Sequence, residues 1–190
     1  MLELFFRKKT KPFFLSIAQL IGRQISANAL TICAFVCGLL CGVCIALHLK
    51  ILALLFLCLS GLFDVLDGAV ARVTNSATEL GAFSDLVSDR MVESAIMAGI
   101  AWGYPDYAFV CLLFMIALLL HFSTFGIAAS LFKNKSEKSF HYNKSFVERL
   151  DVFIVFAIII AMPSITIPVL MVLNSFMFID GAMRFKAVIS

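Results

Sequence analysis

Several stretches of this chain carry no charged residue and are each as long as a helix that crosses a membrane. Such a helix needs about 20 mostly apolar residues to span the roughly 30 Å hydrocarbon layer. The 190-residue chain is 62% hydrophobic and 14% charged, whereas soluble domains average about 25% charged residues. The sequence therefore indicates an integral membrane protein and excludes a water-soluble enzyme and a disordered chain.

The positions of the charges predict six membrane helices. Pro163 and Pro168 divide the last charge-free stretch into two helices, because proline interrupts a helix. The predicted spans are 24–47, 51–72, 80–102, 107–131, 146–162 and 166–185. In residues 1–24 apolar side chains alternate with basic ones, which predicts an amphipathic helix along the membrane interface. We therefore expect an all-α membrane protein with one domain over 1–190, in which this N-terminal segment precedes a six-helix bundle over 25–190.

The basic residues predict the orientation of this bundle. With six spans, Lys50 alone lies between helices on the side opposite the termini, and Arg90 lies inside a span. The basic residues on the side of the termini are Arg7, Lys8, Lys9, Lys11, Arg23, Arg72, Lys133, Lys135, Lys138, Lys144, Arg149, Arg184 and Lys186. Since cytoplasmic loops carry the excess of Lys and Arg, both termini are expected in the cytoplasm. The net charge of +3 is too small and too dispersed to predict binding to nucleic acid.

Four aspartates interrupt the second and third apolar stretches. Asp64 and Asp67 lie three residues apart, and Asp85 and Asp89 four apart, so each pair shares one face of its helix. Carboxylates inside a membrane helix are costly and usually line a polar cavity. If the two helices are antiparallel neighbours, all four would converge on one cavity open to the cytoplasm. Hard divalent cations, Mg²⁺ or Mn²⁺, would make such a cluster stable. The alternative is structural pairing of the aspartates with Arg72 and Arg90.

The aspartates belong to a longer pattern of fixed spacing. It reads Asp64-x2-Asp67-Gly68-x2-Ala71-Arg72-x8-Gly81-x3-Asp85-x3-Asp89. At every fixed position it resembles the signature of the CDP-alcohol phosphotransferases, whose members have six membrane helices after an amphipathic N-terminal helix. Asn28-x2-Thr31 also resembles the opening of the first span in this family, with Ala27 in place of the usual proline.

The resemblance implies transfer of a phosphatidyl group from CDP-diacylglycerol to a small alcohol, with release of CMP. It implies that Asp64, Asp67 and Asp85 bind two divalent metal ions. It also implies that Asp89 is a ligand shared by the two ions and the catalytic general base. It also implies a homodimer in a bacterial or archaeal cytoplasmic membrane. The residues implied to bind the CDP-lipid are Gly68, Ala71, Arg72, Gly81, Asn28 and Thr31.

The acceptor is the least constrained part of this interpretation. Asp89-Arg90 and Glu148-Arg149 resemble the inositol-phosphate and archaeal branches of the family, although Phe146 and Val147 stand where an upstream arginine is usual. We expect a phosphorylated polyol such as inositol phosphate or glycerol 3-phosphate. The residues expected to hold its phosphate are Arg149, Lys133 and Lys135, and the alternative is that they are ordinary cytoplasmic charges.

The sequence is also compatible with other functions. One is a phosphatidylserine-type synthase of the same family, and others are a membrane prenyltransferase and a divalent-cation transporter.

Two further features fall outside the signature. His121 is predicted to line the cavity or to bond between helices. The cysteines on one face of the first span, interpreted as packing residues, are Cys33, Cys37, Cys41 and Cys44.

Overall fold

The computed structural model describes the backbone of residues 2–131 and 149–189, and the side chains of 12–124, 149–183, 185 and 186. All of its regular elements are helical. The seven α-helices within these residues are α1 (Leu2–Ile21), α2 (Ala27–Ala46), α3 (Lys50–Val73), α4 (Glu79–Gly103), α5 (Ala108–Leu131), α6 (Arg149–Ala161) and α7 (Thr166–Ile189). Two 3-10 turns, Pro105–Tyr107 and Pro163–Ile165, precede α5 and α7.

The helix boundaries follow the local sequence. Ser26 caps α2, because its hydroxyl accepts a hydrogen bond from the backbone N–H of Ala29, and Thr78 caps α4 in the same way. Pro163 separates α6 from α7 as predicted, whereas Pro168 lies in the first turn of α7, where a missing N–H costs little. The predicted bounds agree with the helices to within about four residues, and the start predicted at 146 lies outside the described residues.

Four stretches of the described chain are long and apolar enough to cross a membrane: Ala27–Ala46, Lys50–Val73, Pro105–Thr124 and Pro163–Met183. The protein is therefore an integral membrane protein. The described part of α6 has 13 residues, and α4 carries five charged residues, Glu79, Asp85, Asp89, Arg90 and Glu93. Membrane crossing by these two helices, and with it the six-span bundle, stays a prediction.

Helix α1 forms where the amphipathic segment was predicted. Ala18 is fully buried in a small apolar cluster with Ala69 and Val70 of α3, whereas the side chains of Phe13 and Leu20 are exposed. One face of α1 thus packs on the bundle and another is apolar and uncovered. Its position at the membrane interface stays a prediction.

Helix α2 packs against both α3 and α4, and the contact with α4 depends on glycine. A Cβ atom at Gly42 would collide with the carbonyl of Ala95, and one at Gly99 would collide with the carbonyl of Gly42. Small residues let membrane helices approach at backbone distance. This close contact fixes α4 against α2 along its C-terminal half.

A larger apolar core joins α2 to α4, α5, α6 and α7. The largest side chains buried in it include Phe114, Phe156 and Leu170. Cys41 and Cys44 belong to this core, which confirms their interpretation as packing residues, whereas Cys33 is exposed. The core supports the helices that carry the four aspartates.

Candidate active site

The two halves of the aspartate pattern are joined by a short connection. Helix α3 ends at Val73 and α4 begins at Glu79. Both helices pack on α2, and the most extensive helix contacts are those of α2 with α3 and with α4. The acidic faces of α3 and α4 therefore meet across a cleft beside α2, as expected. The two helices are held there by α2 and not by an extensive contact with each other.

Three of the four aspartates form a compact group. One carboxylate oxygen each from Asp64, Asp67 and Asp85 lies within 4.8 Å of the other two. Asp67 is 6% exposed. Three carboxylate oxygens from two helices are the hard ligands that Mg²⁺ and Mn²⁺ prefer, so the donor set fits a divalent metal.

Asp67 is held in place by α2. The hydroxyl of Thr31 donates a hydrogen bond to Asp67 Oδ2 at 2.6 Å. A hydroxyl donor to an ionised carboxylate makes a strong bond and fixes the orientation of the carboxylate. Thr31, expected from the resemblance among the CDP-lipid residues, thus contacts the acidic group directly.

Asp89 lines the same cleft but lies outside the compact group of three. Its Oδ1 atom is 2.6 Å from Nη2 of Arg149, the first residue of α6 as described. Nη1 of the same guanidinium pairs with Oδ1 of Asp64, and the guanidinium carbon lies 5.3 Å from the ring centre of Phe153. Arg149 therefore joins carboxylates of α3 and α4 from a third helix.

The cleft is open on one side, and the space between its walls, including the part open to solvent, is about 190 Å³. The residues lining it are Thr31, Ala34, Phe35, Ser60, Asp64, Asp85, Ser88, Asp89, Val92 and Arg149. Ser60 and Ser88 are lining residues that lie outside the predicted site. Ser60 donates a hydrogen bond to the carbonyl of Ala34 at 2.8 Å, and a lone serine in an apolar run gives no indication of such a role. Ser88 lies three residues after Asp85, and helical spacing from that aspartate could have indicated it.

The other residues of the signature lie beside the acidic group. Nη1 of Arg72 is 3.3 Å from the point where a Cβ at Gly68 would lie, so the guanidinium folds back over this glycine. A Cβ at Gly81 would lie 3.1 Å from the hydroxyl of Thr78 and 4.0 Å from the amide oxygen of Asn28. Ala71 is half-buried. The structure thus places Arg72 over Gly68 and Asn28 beside Gly81.

Arg90 and His121 each have a partner of their own. The alternative that the aspartates pair with Arg72 and Arg90 finds no support among the described residues, where Asp64 and Asp89 pair with Arg149. Arg90 Nη1 instead pairs with Glu93 Oε2 at 2.9 Å, and the Glu93 side chain is 1% exposed. His121 of α5 bonds to Asp180 of α7 at 2.9 Å, which confirms the predicted bond between helices, and it is not among the residues that line the cleft.

Of the three cations expected at the acceptor phosphate, the structure describes one. Arg149 lies in the cleft, with 25% of its side chain exposed. Lys133 and Lys135 lie outside the described residues.

Comparison with known proteins identifies the class. Residues 24–183 match the CDP-alcohol phosphatidyltransferase family. The match covers most of the chain and includes α2, α3 and α4 with all four aspartates. The chain belongs to this family.

Curated relatives are named as synthases of inositol-containing lipids. The chain is 39% identical over 79 residues to an archaetidylinositol phosphate synthase of Pyrococcus horikoshii, covering 42% of each chain. It is 35% identical over 107 residues to a phosphatidylinositol phosphate synthase of Corynebacterium glutamicum, covering 54% of this chain and 48% of that one. The matched parts thus span about half or less of these relatives.

Solved structures share the fold over nearly the whole chain. The Mycobacterium tuberculosis phosphatidylinositol phosphate synthase with CDP-DAG bound superposes with a TM-score of 0.75 at 17% identity, covering 91% of this chain and 92% of that one. Its complex with manganese and citrate gives a TM-score of 0.74 at 17% identity, covering 93% and 89%. This similarity shows the common fold.

Proposed function

We propose that this protein transfers a phosphatidyl group from CDP-diacylglycerol to an alcohol and releases CMP. The observation that carries the proposal is the group of three carboxylates, within 4.8 Å of one another, formed by residues of the family signature. Membership of the family supports the same reaction class. The CDP-DAG bound in the Mycobacterium tuberculosis structure supports CDP-diacylglycerol as the donor.

The acidic residues are proposed to hold two divalent ions, Mg²⁺ or Mn²⁺, through Asp64, Asp67, Asp85 and Asp89. When bound, such ions polarise phosphoryl oxygens and neutralise the charge that develops on the departing CMP. The carboxylate donor set and the hydrogen bond from Thr31 to Asp67 fit this role. The manganese complex of the Mycobacterium tuberculosis relative supports the choice of ion.

The CDP-lipid is proposed to bind next to the carboxylates, against Arg72 and the glycines. Arg72 offers a planar fork of N–H donors that matches phosphate geometry. Gly68 leaves room for the guanidinium above it. The residues proposed to line this part of the site are Gly68, Ala71, Arg72, Gly81, Asn28 and Thr31.

Asp89 is proposed to act as the general base. An acceptor hydroxyl must lose its proton as it attacks phosphorus, and a carboxylate within hydrogen-bond reach can accept that proton. Asp89 lines the cleft beside the group of three, and this position suits a base acting next to the donor phosphate proposed to bind there. Positioning of the two substrates supplies much of the remaining rate acceleration.

The acceptor is proposed to be an inositol phosphate, with Arg149, Lys133 and Lys135 binding its phosphate. The names of the relatives favour this acceptor over glycerol 3-phosphate and serine. Arg149 supports it in the structure, because a guanidinium in the cleft can grip a phosphate with two hydrogen bonds. Family membership disfavours a prenyltransferase and a cation transporter.

The surroundings of the enzyme are proposed on the same grounds. We place it in a bacterial or archaeal cytoplasmic membrane, with six spans, an interfacial α1, a cleft facing the cytoplasm and a homodimeric assembly. The excess of Lys and Arg on the side of the termini supports this orientation.

The test is CMP release by the purified protein in detergent with CDP-diacylglycerol and Mg²⁺ or Mn²⁺. Inositol 1-phosphate, glycerol 3-phosphate, inositol and serine are supplied separately, and the Asp89→Asn variant is the control. We expect metal-dependent release with inositol 1-phosphate. Release with another acceptor alone would overturn the acceptor, and no metal-dependent release with any acceptor would contradict the proposed reaction.

A further inference from the structure

Arg149 engages two of the carboxylates that the proposed function assigns to metal. We propose that its guanidinium competes with the divalent cation for Asp64 and Asp89, and that it must leave them for the metal site to fill completely. Arg149 is thus a positioning residue that acts through these aspartates. The inference rests on the metal site proposed above.

The geometry of the contact carries the argument. The two terminal nitrogens of one guanidinium reach carboxylates on two different helices, Asp64 of α3 and Asp89 of α4. The pair of contacts is a fork that bridges two carboxylates, which a single ammonium group could not reproduce. It holds Asp89 against Arg149, while the other three aspartates form the compact group.

Burial makes the competition strong. The side chains of Arg149, Asp64 and Asp89 are 25%, 17% and 11% exposed. Charges in such surroundings interact more strongly than charges in water, because less solvent screens them. A cation bound to Asp64 and Asp89 therefore opposes the entry of a second one.

The neighbouring cations are placed differently. Arg90 pairs with the buried Glu93, and Arg72 lies over Gly68 with its side chain exposed. Among the described residues, the ion pairs to Asp64 and Asp89 come from Arg149. Once released, Arg149 offers its fork to an anion in the same cleft, which fits the acceptor phosphate proposed for it.

The inference is tested by Mn²⁺ binding to the purified protein in detergent without either substrate. Free Mn²⁺ is followed by its electron paramagnetic resonance signal. We expect Arg149→Gln to bind Mn²⁺ on the order of tenfold more tightly than the wild type, since it removes the competing cation. Arg149→Lys should show a smaller gain, because it keeps the charge and loses the fork.

Arg72→Gln is the matched control. It also removes one arginine charge beside the acidic group but touches neither Asp64 nor Asp89, so its affinity for Mn²⁺ should stay within about twofold of the wild type. An equal gain in Arg72→Gln would show a general charge effect and overturn the inference. If Arg149→Gln fails to fold, Arg149→Lys carries the test.

The failure of this inference differs from the failure of the proposed function. Saturable Mn²⁺ binding by the wild type, with no gain in either Arg149 variant, would overturn the competition and leave the metal site intact. Absence of saturable binding by the wild type would overturn the proposed metal site and this inference with it.

Discussion

The two halves of α4 show opposite ways of packing a membrane helix. Its N-terminal half carries Asp85 and Asp89 and faces a cleft. Its C-terminal half lies so close to α2 that neither Gly42 nor Gly99 has room for a Cβ atom. Carboxylates that repel each other need a rigid support, and we attribute that support to the close contact at the other end of the helix. Function and stability are thus separated along one helix.

The largest effect is expected from Asp89→Asn in the open half. An amide cannot accept the proton of the acceptor, and loss of a general base costs roughly 10²–10⁴-fold in rate. CMP release should fall by this factor, while CDP-diacylglycerol still binds in a filter or calorimetric assay. Unchanged CMP release would remove Asp89 from the role of base.

Asp67→Asn should weaken metal binding by about 10–100-fold, because it replaces a charged ligand by a neutral one. The Mn²⁺ titration described above measures this change. Asp151→Asn, a substitution of the same kind on α6 and outside the residues that line the cleft, serves as the control and should bind Mn²⁺ like the wild type. Equal affinity in Asp67→Asn and the wild type would contradict the assignment of this ligand.

Gly99→Leu tests the packed half. A side chain at Gly99 would strike the backbone of Gly42, and overpacking of this kind costs roughly 1–3 kcal/mol. We expect a lower thermal unfolding midpoint in detergent. Ala98→Leu adds a similar volume at an exposed position of the same helix and should unfold near the wild-type temperature. Similar unfolding midpoints for Gly99→Leu and the wild type would show that α2 and α4 can move apart at this contact without loss of stability.

The smallest effect is expected from Thr31→Val on α2, beside the open half of α4. It removes the hydrogen bond to Asp67, and such a bond contributes about 0.5–1.5 kcal/mol. The Mn²⁺ concentration needed for half-maximal CMP release should rise several-fold. Thr31→Ser keeps the hydroxyl and should restore the wild-type value, whereas a defect of the same size in Thr31→Ser would indicate a role for the methyl group instead.

The site was predictable where its geometry is local. Spacings of three and four residues placed Asp64 with Asp67 and Asp85 with Asp89, because the period of a helix fixes which side chains share a face. The helices and the break at Pro163 followed from apolar length and proline chemistry for the same reason.

Contacts between distant helices were less predictable. The pairing of Arg149 with Asp64 joins residues 85 positions apart, and no local pattern encodes it. His121 had several possible partners in sequence, and the packing of α5 against α7 selected Asp180. The close approach of Gly42 to Gly99 likewise depends on the alignment of two helices.

The origin of the residues lining the cleft has a consequence for how such enzymes can change specificity. Among the described residues, nine of them come from α2, α3 and α4, and Arg149 alone comes from α6. The carboxylates proposed to hold the metal and the residue proposed to grip the acceptor therefore lie on separate segments of the chain. We propose that substitutions in the segment that begins α6 can alter the choice of alcohol while the aspartates on α3 and α4 are kept, and that replacement of Arg149 itself also changes metal affinity.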